Sequence, residues 1–302
     1  MLGFLHARAG IDVTVLEKHA DFFRDFRGDA RRYPSFHLHT ETAVTGLILE
    51  GDVVRGLHAA GTTGPIDVRA DLVIGAGGRS STVRAAASLT VREIGSPMDV
   101  LWMRVSRRSG DPEAVLGRVD FGKMMVMIDR GDYWQCAFVI PKGAYDAIQN
   151  TGIEAFRAQI AELVPWVSDR LAELRDWNDV KLLTVAVDRL QQWYRPGLLC
   201  LGDAAHAMSP IGGVGINLAV QDAVAAANVL CPAFALGAPG VAELRAIQRR
   251  RAFPMAVIQG LQVAVQNGFL GGVLRAGANA MKPPLALRIF AAIPPCGASQ
   301  AT

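Results

Sequence analysis

Apolar residues change their spacing several times along this chain, and each change marks a change of element. Leu2 to Gly10 has helical spacing and ends on a glycine, the residue that most readily takes the left-handed conformation closing a helix. Ile11 to Glu17 then reads as a strand with an acid at its end. A helix that feeds a parallel strand calls for another strand before it, because a crossover joins two strands. Met1 stands where that strand and its turn would finish. Between Phe36 and Arg69 apolar positions alternate, notably Val44, Leu47, Leu49, Val53, Val54 and Leu57, with breaks at Glu50-Gly-Asp52 and Gly61-Thr-Thr-Gly64. That pattern predicts a β-meander with hairpin turns. Asp71 to Ala76 is a short apolar run suited to a buried parallel strand, and Ser80 or Ser81 can cap the helix after it.

A second block begins near Met98. Strand-like text runs to about Pro141, with Phe121–Asp129 and Tyr133–Ile140 separated by Arg130-Gly-Asp132. Thr151–Leu174 has helical spacing, and Lys181–Trp193 returns to strand. Gly197–Gly202 carries the chain back to the first block, and Ile216–Leu230 and Val241–Gly268 read as helices. The order predicts an α/β protein: a nucleotide-binding domain with an incomplete first βαβ unit, residues 1–96 and 194–302, interrupted by an antiparallel-sheet substrate domain, residues 97–193, and closed by C-terminal helices.

Composition narrows the class without naming it. The 302 residues are 51% hydrophobic and 20% charged, the balance of a packed globular protein. The net charge of +3 comes from scattered arginines, which argues against a nucleic-acid partner. The one short basic run, Arg249–Arg251, sits in a helical stretch and reads either as a solvated face or as an anion site. Cys136, Cys200, Cys231 and Cys296 form no Cys-x-x-Cys pair or metal cluster, so reduced thiols and a cytoplasmic location are expected. No uninterrupted stretch has the length of a membrane span, so no integral membrane segment is expected.

The chemistry concentrates in Gly202-Asp-Ala-Ala-His-Ala-Met-Ser-Pro-Ile-Gly-Gly-Val-Gly-Ile-Asn217, placed after an apolar strand and before an Ala-rich helix. A strand, a glycine-rich turn and a helix N-terminus together present backbone N–H groups to an electron-rich ligand. Asp203 can accept hydrogen bonds from a polyol, and Gly212, Gly213 and Gly215 leave room for a flat ring against the backbone. His206, beside Asp203, reads either as catalytic or as a structural group orienting the turn. No residues have metal-site spacing with a full ligand set, and no nucleophile–His–acid order is evident.

This segment closely resembles the Gly-Asp signature of the FAD-dependent aromatic monooxygenases of the para-hydroxybenzoate hydroxylase type. The resemblance implies a Rossmann-like FAD-binding domain. It implies that Asp203, after Gly202, holds the ribityl chain. Pro210 and Gly213 would border the isoalloxazine ring, and the backbone of Gly215, Ile216 and Asn217 would meet its pyrimidine edge. Glu17, ending the second parallel strand, would take the adenosine ribose hydroxyls. Asp25-Phe-Arg-Gly28 resembles the family's Arg-Gly segment and makes Arg27 a partner for pyrophosphate or ribityl. Asp71–Arg84 resembles a third signature that normally reads Gly-Ala-Asp-Gly-Arg, but Gly77 stands in place of the aspartate. Arg79 and Arg84 then read either as contacts to NAD(P)H or pyrophosphate or as surface charges.

The resemblance implies oxidoreductase chemistry with FAD as cofactor and NAD(P)H as reductant. Dioxygen would be passed through a flavin hydroperoxide to a small aromatic or other apolar substrate. The flavin carries the reaction, so no catalytic side chain is assigned. The family's Gly-x-Gly-x-x-Gly turn does not occur before Leu2, and a second gap falls near Ala30-Arg-Arg32. Two other readings therefore stand beside the monooxygenase: a flavoprotein remnant with weak or no FAD binding, and a flavin-dependent reductase or dehydrogenase without oxygen insertion. Trp102, Met103, Met125, Met127 and Trp134 fit either the lining of an apolar substrate pocket or ordinary core.

Overall fold

The opening helix and strand appear as α1 (Leu2–Arg8), closed by Gly10 at φ +78°, and β1 (Val13–Leu16). The computed structural model describes residues 1–20, 30–112, 116–120 and 122–270. The chain divides into two compact units, one of Met1–Gly95 with Ala186–Gly260, the other of Ser96–Val185 with the segment from Leu261 grouped to it.

In the first unit, β1 runs parallel to β2 (Phe36–His39), in the register Val13 with Phe36 to Leu16 with His39. Phe36–His39 was expected to open the meander and instead joins the parallel strand. Alternation defines the two faces of a strand but carries no information about its partner. The meander itself is β3 (Ala43–Glu50), β4 (Val53–Gly61) and β5 (Gly64–Arg69), antiparallel throughout. The apolar run before the glycines is β6 (Val73–Gly75). It is followed by the short helix α2 (Thr82–Ala86), whose N-cap is Ser81, its Oγ accepting from the Arg84 N–H. β7 (Val91–Glu93) ends the first segment of this unit.

The chain re-enters the first unit at Ala186, because β13 (Asp188–Leu190) pairs with β7. β14 (Tyr194–Arg195) turns into β15 (Leu198–Cys200), and β15 lies parallel to β6. Among the described residues the parallel strands thus form two separate pieces, β1–β2 and β6–β15. Two helices follow: α5 (Gly215–Leu236) and α6 (Val241–Val265). Their buried positions, among them Ala223, Ala226, Ala227 and Leu230 of α5 and Leu244 and Ile247 of α6, close on Val73, Leu198, Leu199 and Cys200. Small alanines on the inner face let α5 approach closely. The stretch Ile211–Leu236 is long and apolar enough to cross a membrane, which the sequence reading did not anticipate. Its buried, fully paired Asp222 and its packing on α1 mark it as a core helix.

The second unit is one antiparallel sheet in the order β12 (Lys181–Leu183), β8 (Met98–Ser106), β11 (Tyr133–Pro141), β10 (Lys123–Asp129), β9 (Leu116–Asp120). After the short helix α3 (Tyr145–Asn150), α4 (Ile153–Leu163) and the 3-10 turns of Pro165–Glu173 pack their Phe156, Ile160, Val167 and Leu171 against the sheet. Met103, Met125, Met127 and Trp134 all belong to that packed face and are buried in it. They are core, and the pocket-lining alternative fails for these four because strand alternation turns them toward α4. Trp102 lies on the other face, with Met124, Val126, Ala137 and Val139 as its register neighbours. A buried ion pair fastens the 3-10 segment. Arg170 Nη1 and Nη2 bond Asp111 Oδ2 and Oδ1 at 2.7 and 2.9 Å, and Trp134 Nε1 donates to Asp111 Oδ2 at 2.8 Å. The Arg170 bonds outweigh burial and hold the Asp111 carboxyl well below the usual carboxylate range.

Candidate functional site in the turn after β15

β15 is buried along its length and delivers the chain to Gly202, whose φ is +57°. A Cβ at this glycine would stand 2.9 Å from the Cβ of Ala219. Both the left-handed backbone and the contact with α5 therefore require glycine here. Asp203 follows in a 3-10 turn, its carboxylate about a third exposed, with an Arg79 Nη2 at 3.7 Å. Burial pushes the Asp203 carboxyl up, while Arg79 and His206 draw it down and Asp188 adds to the rise.

Pro210 opens a second 3-10 turn over Ile211–Gly213, with the Gly213 N–H bonded to the Pro210 carbonyl at 3.1 Å. Gly212 and Gly213 both have positive φ, at 74° and 62°. α5 then begins at Gly215 with no side-chain cap. The first intrahelical bond after the turn is from Leu218 N–H to the Val214 carbonyl, so Gly215, Ile216 and Asn217 hold N–H groups that the helix does not use. Ile216 is 66% exposed beside them. A Cβ at Gly215 would still sit 3.9 Å from Asp203 Oδ1, so carboxylate and helix start are close neighbours. The arrangement offers a polyol-accepting carboxylate, an apolar edge and a row of free donors at the positive end of a 22-residue helix.

What holds this turn in place was only partly visible beforehand. His206 is buried, and its Nε2 donates to Asp222 Oδ2 at 2.6 Å. Asp222, 0% exposed on α5, also accepts from Arg251 Nε at 2.7 Å and from the Gly202 N–H at 3.2 Å. His206 thus has the orienting role, and its Nδ1 is enclosed without a partner. Arg251 is 8% exposed, so the solvated-face reading of Arg249–Arg251 fails at its last member. An isolated acid in an Ala-rich apolar helix was the available signal: an ion on that face needs a counter-ion, and Arg251 supplies it.

The remaining predicted residues scatter. Glu17 follows β1, with one carboxylate oxygen accepting from the His19 N–H at 2.9 Å. Arg27, with Gly28, lies outside the described residues. Arg84 is committed internally, to Asp188 Oδ1 at 3.0 Å and the Arg79 carbonyl at 2.6 Å, which removes it as a contact for NAD(P)H or pyrophosphate. Gly77 is exposed without a positive φ, and a Cβ there would meet only Ser81 atoms at 3.6 Å or more. The backbone does not demand glycine at that position.

The described groups fit a flavin at its ring and ribityl side. Comparison with known proteins decides the family: a family model described as an FAD binding domain matches residues 28–260. The chain belongs to the FAD binding domain family. This FAD-binding chain is 39% identical over 213 residues to 6-methylpretetramide 4-monooxygenase of Streptomyces rimosus, a match covering 67% of this chain and 48% of that protein. Kynurenine 3-monooxygenase of Stenotrophomonas maltophilia is 30% identical over 188 residues, covering 56% of this chain and 40% of that protein. The chain thus spans about half the length, or less, of these two curated relatives. PqsL of Pseudomonas aeruginosa shares the fold, with a TM-score of 0.70 at 18% identity over 91% of this chain and 93% of that chain.

Proposed function

We propose that the protein is an NAD(P)H-using flavoprotein monooxygenase that hydroxylates an aromatic or other apolar small molecule, with FAD seated on the Gly202–Asn217 turn. The observation that carries this reading is the turn itself: carboxylate, glycines and open helix N-terminus in one accessible stretch of an FAD-binding chain. When bound, FAD supplies hydride acceptance and oxygen activation. Asp203 accepts ribityl hydroxyls, and the Gly202 turn, clamped through Asp222, sets where that carboxylate stands. Pro210 walls one side of the ring, and Gly213 and Gly215 admit it against the backbone. The N–H groups of Gly215, Ile216 and Asn217 donate to the pyrimidine edge, where the helix dipole favours electron density. Glu17 takes ribose hydroxyls of the adenosine half, and Arg27 meets pyrophosphate or ribityl.

Residues 1–95 and 186–260 serve FAD, and residues 96–185 serve the substrate. The sheet face carrying Trp102, Met124, Val126, Ala137 and Val139 is apolar at its middle and suits an uncharged ring better than a carboxylate. Excluding water there protects the oxygen-transfer step from wasteful side reactions. The three described cysteines, Cys136, Cys200 and Cys231, are free thiols, which supports a reducing, cytoplasmic setting. The test is NAD(P)H oxidation by the FAD-loaded protein with phenolic compounds under isotopically labelled dioxygen. Label in a hydroxylated product is expected. NAD(P)H consumption without label in any product would make the protein a reductase, and absence of flavin uptake would make it a remnant.

A further inference from the structure

An open cavity of about 400 Å³ in the first unit lies between the β7–β13 ribbon and α6. A second cavity of about 270 Å³ adjoins it and shares Gln191, Gln248 and Ala252 with it. The joined groove is lined by Arg92, Arg189, Arg245 and Arg249, and no acidic residue lines it.

Arg92 and Arg189 are direct cross-strand partners in the ribbon, so their side chains leave the same face. Like charges in that position oppose pairing, and among the described residues neither guanidinium has a hydrogen-bond or ion-pair partner to offset the repulsion. The neighbouring acids do not help, because Asp188 and Glu93 project from the other face and Asp188 is engaged by Arg84. Across the groove, Arg245, Arg249 and Phe253 fall at four-residue spacing on one stripe of α6, and Phe253 is 76% exposed. Gln248 is fixed between them, its Oε1 accepting from the Trp193 N–H at 3.0 Å and its Nε2 donating to the Gln191 carbonyl at 2.9 Å.

We propose that this groove binds the phosphate-bearing part of a nucleotide, the Arg92–Arg189 pair meeting the phosphate oxygens and the exposed Phe253 ring stacking on the base. Paired guanidiniums give forked donors matched to phosphate. An exposed aromatic one helical turn from Arg249 gives a π-face beside the charge. Groove and flavin turn touch directly: the Leu190 N–H donates to the Ala205 carbonyl at 2.7 Å, and Trp193, on the groove floor, packs its ring 5.0 Å from that of His206. This inference rests on the proposed use of a pyridine-nucleotide reductant, and the groove is where that reductant is held by its phosphates.

The test is calorimetric titration of the FAD-loaded protein with ADP-ribose, which carries the pyrophosphate and adenosine but cannot transfer a hydride. The proposal expects binding that weakens at least tenfold in the double variant Arg92→Gln/Arg189→Gln, with flavin content unchanged and a raised KM for NAD(P)H. Phe253→Ser, a surface change, is expected to weaken the same titration. Equal affinity of wild type and double variant, or no binding to wild type, would overturn it. If NAD(P)H reduces the flavin with the same KM in both forms, the groove falls and the monooxygenase reading stands. If arginine-dependent binding persists but NAD(P)H never reduces the flavin, the groove stands and the monooxygenase reading falls.

Discussion

Replacing Asp222 with asparagine keeps shape and removes one buried charge, and its consequence can be worked from three distances. The carboxylate accepts from His206 at 2.6 Å, from Arg251 at 2.7 Å and from the Gly202 N–H at 3.2 Å, with no solvent access. In Asp222→Asn, Arg251 stays buried without its counter-ion, a state that costs about 3–5 kcal/mol. For a cooperative unit of this size, about 2–4 °C of Tm accompanies each kcal/mol, so the midpoint should fall by roughly 6–20 °C. Thermal unfolding followed by circular dichroism measures this directly. Adding Arg251→Met removes the stranded charge, and the double variant should recover much of the loss, giving a coupling above about 1 kcal/mol between the two sites. A fall of less than about 2 °C in the single variant, where about 3 kcal/mol was expected, would refute the reasoning. Strictly additive effects in the double variant would do the same.

Three further outcomes follow from the geometry. Gly202→Ala places a Cβ against Ala219 on a left-handed backbone and should lower stability by about 2–4 kcal/mol, read from chemical denaturation. Gly77→Asp should fold with stability within about 0.5 kcal/mol of wild type, because the site is open, and should tighten FAD binding in a fluorescence titration; loss of folding would contradict the open geometry. Asp111 has a depressed folded pKa, so its stabilising contribution is complete above the unfolded value near about 4 and is lost as pH falls below it. Tryptophan emission from Trp134, which donates to Asp111, should report acid unfolding of the second unit, and Asp111→Asn should flatten that pH dependence.

The local structure of the turn after β15 was legible because its parts are contiguous: strand, Asp203, Pro210, glycines and helix start follow one another within a short stretch, and local rules suffice to interpret them. Asp222 and Arg251 were not, because they come from two helices and meet only when α5 and α6 pack. In the strand text the period identified β8, β10 and β11 but not which face each buries. Met125 and Val126 are equally apolar, and only the position of α4 makes the first core and leaves the second on the opposite face. For the same reason Val13–Leu16 and Phe36–His39 were each recognised as strands while their parallel pairing was not. The cavities along α6 escaped entirely, since Arg92 and Arg249 become neighbours of one groove only through tertiary packing.

The central claim, that the turn around Asp203 holds FAD, is tested most directly by titrating the purified protein with FAD and following flavin fluorescence, for wild type and Asp203→Ala. The account predicts saturable binding of one FAD per chain, weakened at least tenfold by the substitution, in line with loss of charge-assisted hydrogen bonds worth about 1.5–3 kcal/mol. Equal FAD affinity in the two proteins, or no saturable binding in wild type, would contradict it.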